Sequence, residues 1–129
     1  SGSAAETAAS GGNNLARYIT KTVELADDAD VITAFLAVNR PSASNVELYY
    51  RVLTSGSAAS MVDTTWVLAT PTASISINDN PGIFEEVQYD LDPLGAGVSF
   101  GSMQFKIVMR STNTSTVPSI RDFRAIAAT

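Results

Sequence analysis

The stretch Asn45-Val46-Glu47-Leu48-Tyr49-Tyr50-Arg51-Val52-Leu53 decides the fold. Val46, Leu48, Tyr50 and Val52 alternate with Asn45, Glu47, Tyr49 and Arg51, the period of two that a strand with one buried face requires. Working outward, Arg17 to Leu25 reads similarly, with Ile19, Val23 and Leu25 on one face and Tyr18, Thr20, Thr22 and Glu24 on the other, Lys21 being the exception. Val31 to Val38 is apolar on both faces, as a strand in the middle of a sheet or covered on both sides would be; its alanines equally allow a short helix, and strand is favoured because Asn39-Arg40-Pro41 ends it as a turn. Phe84 to Leu91 sets Val87, Tyr89 and Leu91 together, and Met103 to Arg110 does so for Met103, Phe105, Ile107 and Met109. In Ile120 to Ala127 the alternation breaks between Ile120 and Phe123, and a β-bulge near Arg121 and Asp122 restores it. Trp66 to Ala69 is a short strand, and Ser74 to Ile77 is a candidate for another.

No segment carries a helical period, and turn-rich stretches at Thr54–Asp63, Thr70–Gly82, Asp92–Gly101 and Ser111–Val117 separate the strands. Seven or eight short strands spaced in this way predict an all-β, antiparallel β-sandwich. The position of Trp66 and the Pro118-led final strand favour a jelly roll over an immunoglobulin-like sandwich. The sandwich domain is assigned to residues 15–129. Ser1 to Asn14 is almost entirely Ser, Gly, Ala, Thr and Asn with one Glu, a composition unable to bury enough apolar surface to offset the entropy of ordering. It reads as a flexible lead-in: Ser1-Gly2-Ser3 resembles a tag remnant, the rest resembles an interdomain linker, and the chain is expected to be a piece of a longer protein.

Composition excludes much. The net charge is −5, only 16% of residues are charged, and the eight Lys and Arg (Arg17, Lys21, Arg40, Arg51, Lys106, Arg110, Arg121, Arg124) are scattered along the strands. That is the wrong electrostatics for nucleic acid, whose binding needs clustered cations. No apolar run approaches the roughly 18 residues of a membrane helix, so no membrane partner is expected. The chain has no His and no Cys, which removes the usual triads, thiol nucleophiles and zinc sites.

Carboxylates remain. Glu85, Glu86, Asp90 and Asp92 are numerous enough for a glycosidase pair, but their order along one strand is what an exposed alternating strand produces without function, so neither an enzyme nor a cofactor is expected. Asp27, Asp28 and Asp30 form the weak calcium candidate; they read first as an Asx-rich turn, because no Gly lies within the cluster and no twelve-residue hand pattern surrounds it. Asn78-Asp79-Asn80-Pro81-Gly82 reads as consecutive turns. Tyr49 and Trp66 are the candidate ligand or partner contacts, since Tyr49 falls opposite the buried face of its strand and aromatic faces stack on sugar rings; core packing is the competing reading.

Several segments together resemble structural proteins from the tails and baseplates of contractile-tailed bacteriophages. They are Arg17-Tyr18-Ile19-Thr20-Lys21-Thr22-Val23-Glu24-Leu25, Phe35-Leu36-Ala37-Val38-Asn39-Arg40-Pro41, Val46-Glu47-Leu48-Tyr49-Tyr50-Arg51-Val52 with Trp66-Val67, Phe105-Lys106-Ile107-Val108-Met109-Arg110-Ser111-Thr112, and Val117-Pro118-Ser119-Ile120-Arg121-Asp122-Phe123-Arg124. The same pattern is similar to galactose-binding-like jelly rolls. The resemblance implies a non-catalytic virion domain that contacts other tail or baseplate proteins. It also implies a second reading, a carbohydrate-binding module that recognises a host-surface glycan through Tyr49, Trp66 and the Asp27–Asp30 turn.

Overall fold

A computed structural model describes residues 6–7, 16–112 and 116–129. Its strands are β1 (Ala16–Ile19), β2 (Val23–Ala29), β3 (Val31–Asn39), β4 (Ser44–Leu53), β5 (Val67–Leu68), β6 (Glu85–Leu91), β7 (Phe100–Ser111) and β8 (Ser119–Ala128), with a 3₁₀ turn at Met61–Asp63 and with Glu6 and Thr7 in helical conformation. One sheet runs β1-β7-β4-β5, with β2 also paired to β7, and the other runs β6-β3-β8. Every pairing is antiparallel. The pairs β2–β7, β3–β6 and β4–β5 nest one inside the next along the chain. A long hairpin wound round a core produces that nesting, so the sandwich is a jelly roll and not immunoglobulin-like.

The two-residue periods account for the core. Val46, Leu48 and Tyr50 of β4 lie opposite Met109, Ile107 and Phe105 of β7, and this layer packs on Ile32, Ala34, Leu36 and Val38 of β3 and on Val87, Tyr89 and Leu91 of β6. β3 is the central strand of its sheet, as its two apolar faces predict. Phe105 meets Phe123 of β8 edge to face, ring centroids 5.1 Å apart.

The expected bulge is present. Leu36 pairs with Phe123 while Ala37 pairs with Arg121, so Asp122 is the extra residue, and it sits at φ 54°. Skipping Asp122 turns both Ile120 and Phe123 toward the core, against which both pack.

Three expectations need correction. Arg17–Leu25 is two strands: the hydroxyl of Thr20 accepts the Phe105 N–H at 3.0 Å and Gln104 donates to the Thr20 carbonyl at 2.8 Å, interrupting the ladder. The break changes faces, so that Ile19 lies opposite Lys106 on the outer side while Val23 lies opposite Met103 on the inner one. Ser74–Ile77 is not a strand, although Ile75 is buried there. Asp27 and Asp28 belong to β2 and not to a turn, since Asp30 alone carries the chain into β3. The Asn78–Gly82 stretch does turn: the Asn39 amide donates to the carbonyls of Asn78, Asn80 and Ile83, and Asp79 accepts the N–H and hydroxyl of Ser42, fastening this loop to the Arg40-Pro41 corner.

Two outcomes follow. Asp122→Gly should leave the urea midpoint unchanged or raise it, whereas Asp122→Val should cost about 1–2 kcal/mol, because a branched side chain is strained at positive φ. Burial pushes the Tyr89 phenol up to about 12. An unfolded tyrosine ionises near 10, so the stability this group contributes is complete below that pH and is lost as pH rises toward about 12. Tyr89→Phe should therefore show a smaller alkaline loss of stability than the parent chain in melts between pH 9 and 12.

Candidate docking face

The outer face of the five-stranded sheet is where the chemistry concentrates. Glu47, Tyr49 and Arg51 project from β4 on the side away from the sandwich core, and across the ladder stand Val108, Lys106 and Gln104 of β7. The sequence pattern makes this an exterior face. The structure covers it: Tyr49 and Lys106 are 0% exposed, Arg51 is 5% exposed, and Trp66 is 2% exposed. Tyr49, Trp66 and Val108 form a second small apolar cluster there.

Cations lie on its aromatic rings. The Arg51 guanidinium is 4.0 Å from the Trp66 ring centroid, and the Lys106 ammonium is 5.0 Å from both the Tyr49 and Trp66 centroids. Arg51 is fixed by donating to Gln104 Oε1 and to the Thr64 carbonyl, each at 2.9 Å. Tyr49 donates its hydroxyl to Glu47 at 2.8 Å, and Glu47 also takes the Arg110 guanidinium at 2.9 Å.

What closes the face comes from far away in sequence. Glu6 is 0% exposed, its carboxylate is 2.9 Å from Lys106 Nζ and 3.8 Å from Arg17, and its main-chain carbonyl also accepts from Lys106. The Trp66 N–H donates to the Thr7 carbonyl at 2.8 Å. Glu6 and Thr7 belong to the stretch whose composition predicts no order; the rest of Ser1–Asn14 lies outside the described residues. Burial holds the Lys106 ammonium below the usual lysine range, and the hydrogen bond and charge of Glu6 oppose that shift. Arg51 is likewise lowered by its burial. The face is a positively charged aromatic cradle that accepts the Glu6 carboxylate and the main-chain carbonyls of Glu6 and Thr7, two residues in helical conformation.

Tyr49 and Trp66, the two aromatic candidates, are brought together here, but with their rings covered neither offers an open surface for a sugar to stack on. Asp27 and Asp28 lie in a different part of the molecule; Asp28 accepts the Ser55 hydroxyl, and Asp30 donates its N–H to the Ala128 carbonyl at 3.0 Å. No group of three or more Asp or Glu side chains is gathered around a possible metal position among the described residues. Of the strand carboxylates, Glu86 pairs with Arg124 at 3.3 Å, Glu85 accepts the Ser76 N–H, and Asp90 accepts from Gln88. Sequence reasoning passed over Glu6 and Lys106. The available signal was a lone charge in an otherwise uncharged stretch and a lysine amid the apolar run Phe105–Val108.

Removing Glu6 leaves the Lys106 charge without its partner. Glu6→Ala should cost up to about 3 kcal/mol in urea unfolding, and the Glu6→Gln/Lys106→Met pair, which removes both charges, should recover most of the loss.

No family model matches this chain, and no curated protein matches it. Among solved structures, it is similar to the crystal structure of the infectious bursal disease virus VP2 subviral particle, at 10% identity and a TM-score of 0.45, over 85% of this chain and 25% of that one. The chain thus spans about a quarter of that structure's length.

Proposed function

We propose that this is a non-catalytic structural domain of a virion, in the tail or baseplate of a contractile-tailed bacteriophage, that works by docking other protein segments. The observation that carries the reading is the Glu6 cradle. Arg17, Arg51 and Lys106 converge where Glu6 supplies the carboxylate, in a chain whose overall charge is −5. A surface that desolvates a lysine in order to grip an acidic segment is suited to capture of polypeptide, because the main-chain bond from Trp66 reads backbone and the ammonium reads the side chain. The rigid sandwich holds that cradle on its longest ladder. The resemblance of the strand sequences to tail and baseplate proteins supports the virion setting.

The glycan reading has less support, since the aromatic rings that would stack on sugar are occupied by Arg51 and Lys106.

The domain should bind a neighbouring tail or baseplate protein in a pull-down without any added cofactor, and the Glu6→Gln/Lys106→Met pair, which removes both buried charges, should abolish that binding while the chain still melts cooperatively. Failure of every such protein to bind would overturn the proposal, and a calcium-dependent signal on a glycan array would favour the second reading.

A further inference from the structure

Near the corner where β3 passes into β4, a half-exposed guanidinium and an orphaned hydroxyl of β6 line the same groove. Arg40 is held rigidly, donating from Nε to the Ser44 carbonyl at 2.9 Å and from Nη1 to the Ile75 carbonyl at 2.8 Å. Its Nη2 has no partner and no carboxylate lies within ion-pair distance of it among the described residues. Tyr89, 1% exposed, has a hydroxyl with no hydrogen-bond partner among the described residues. A buried hydroxyl left in this state is a standing cost, which natural proteins accept mainly where something else completes the bond.

Both residues line one groove of about 310 Å³ between β4, the segment after β5, and β6. Asn45, Thr70 and Ser74 add polar groups to its wall, and Pro71 and Ile75 add apolar ones. A second groove of about 270 Å³ shares Arg40 and Asn45, so the guanidinium lies between the two. The first has the volume of a small-ligand site, with few polar groups on a largely apolar lining.

We propose that this groove binds a small organic monocarboxylate. Its carboxylate would sit on the Arg40 guanidinium, a polar substituent would complete the Tyr89 hydroxyl, and its apolar side would rest on Pro71 and Ile75. The charge count selects a monoanion. Glu47 also lines the groove; its own charge is held by Arg110, but it would repel a second negative charge such as that of a phosphate dianion. The guanidinium, prevented from moving by two main-chain carbonyls, is preorganised for an oxyanion. This inference is independent of the virion reading, which rests on Glu6, Lys106 and Trp66, none of which lines the groove.

The test is a titration of the full chain, followed by amide NMR shifts, with sodium glucuronate, 3-hydroxybutyrate and benzoate as probes and with glucose and inorganic phosphate as counterparts. At least one monocarboxylate should bind saturably and shift resonances around Arg40, Asn45 and Tyr89, with glucose and phosphate at least about tenfold weaker. Arg40→Gln should weaken the bound acid at least about tenfold. Because Arg40 also anchors two carbonyls, Tyr89→Phe provides the second arm: it should weaken binding severalfold while the free chain melts no lower than the parent. Failure of all three acids to bind would overturn the proposal, as would glucose binding equally well, or unchanged affinity in both folded variants.

Discussion

The ladder between β4 and β7 is the constraint on which the other elements depend. It runs from Ser44 opposite Ser111 to Leu53 opposite Ser102, and it is covered on both sides. Its inner residues, Val46, Leu48, Tyr50, Met103, Phe105 and Ile107, are the floor on which the three-stranded sheet packs. On the outer side, Tyr49, Arg51, Lys106 and Val108 lie beneath Trp66 and Glu6. A one-residue slip of this ladder would exchange the two sets, placing a lysine and an arginine in the apolar core and leaving leucine and phenylalanine in the cradle. Register is therefore specified twice, once by hydrophobic burial and once by charge.

The two faces are held together by different physics. Between the sheets, apolar area removed from water dominates and directional demands are few. Outside, the same strands bury an ammonium and a guanidinium, which is favourable only when each finds a carboxylate, a carbonyl or an aromatic face. Lys106 has the first two in Glu6 and stands over Tyr49 and Trp66; Arg51 has Gln104, the Thr64 carbonyl and Trp66. Such a face tolerates little variation in what covers it.

How legible this was differs by link. The strands, the central position of β3 and the bulge at Asp122 could be read from apolar periodicity, because one buried face imposes a period of two and a bulge leaves a visible fault in it. The break at Thr20 left one mark, Lys21 on the otherwise apolar side, but nothing in the pattern says that a threonine hydroxyl replaces a main-chain group there. The cradle was hidden for a deeper reason. Periodicity distinguishes inward from outward but says nothing of what later covers the outward side, and Glu6 is separated from Lys106 by a hundred residues of chain. Tyr49 and Trp66, singled out as ligand or partner contacts, are buried together with Val108, and the stretch that meets them here had been assigned to a lead-in by its composition.

The nesting of β2–β7, β3–β6 and β4–β5 also shapes how the chain reaches its structure. Only the innermost pair joins strands close in sequence, and β5 contributes just Val67 and Leu68 to it. The longest ladder cannot begin until Phe100–Ser111 is present, after the preceding strands have left the ribosome. Long-range pairing of this kind makes folding slow, because loop closure precedes the contacts that offset it. Until then the edge of β4 away from β5 stays open, and β4 is the strand whose outer face carries charge, Glu47 and Arg51 among its aromatic residues. The same side chains that serve the finished surface thus discourage a growing chain from adding a stranger's strand in the place reserved for β7.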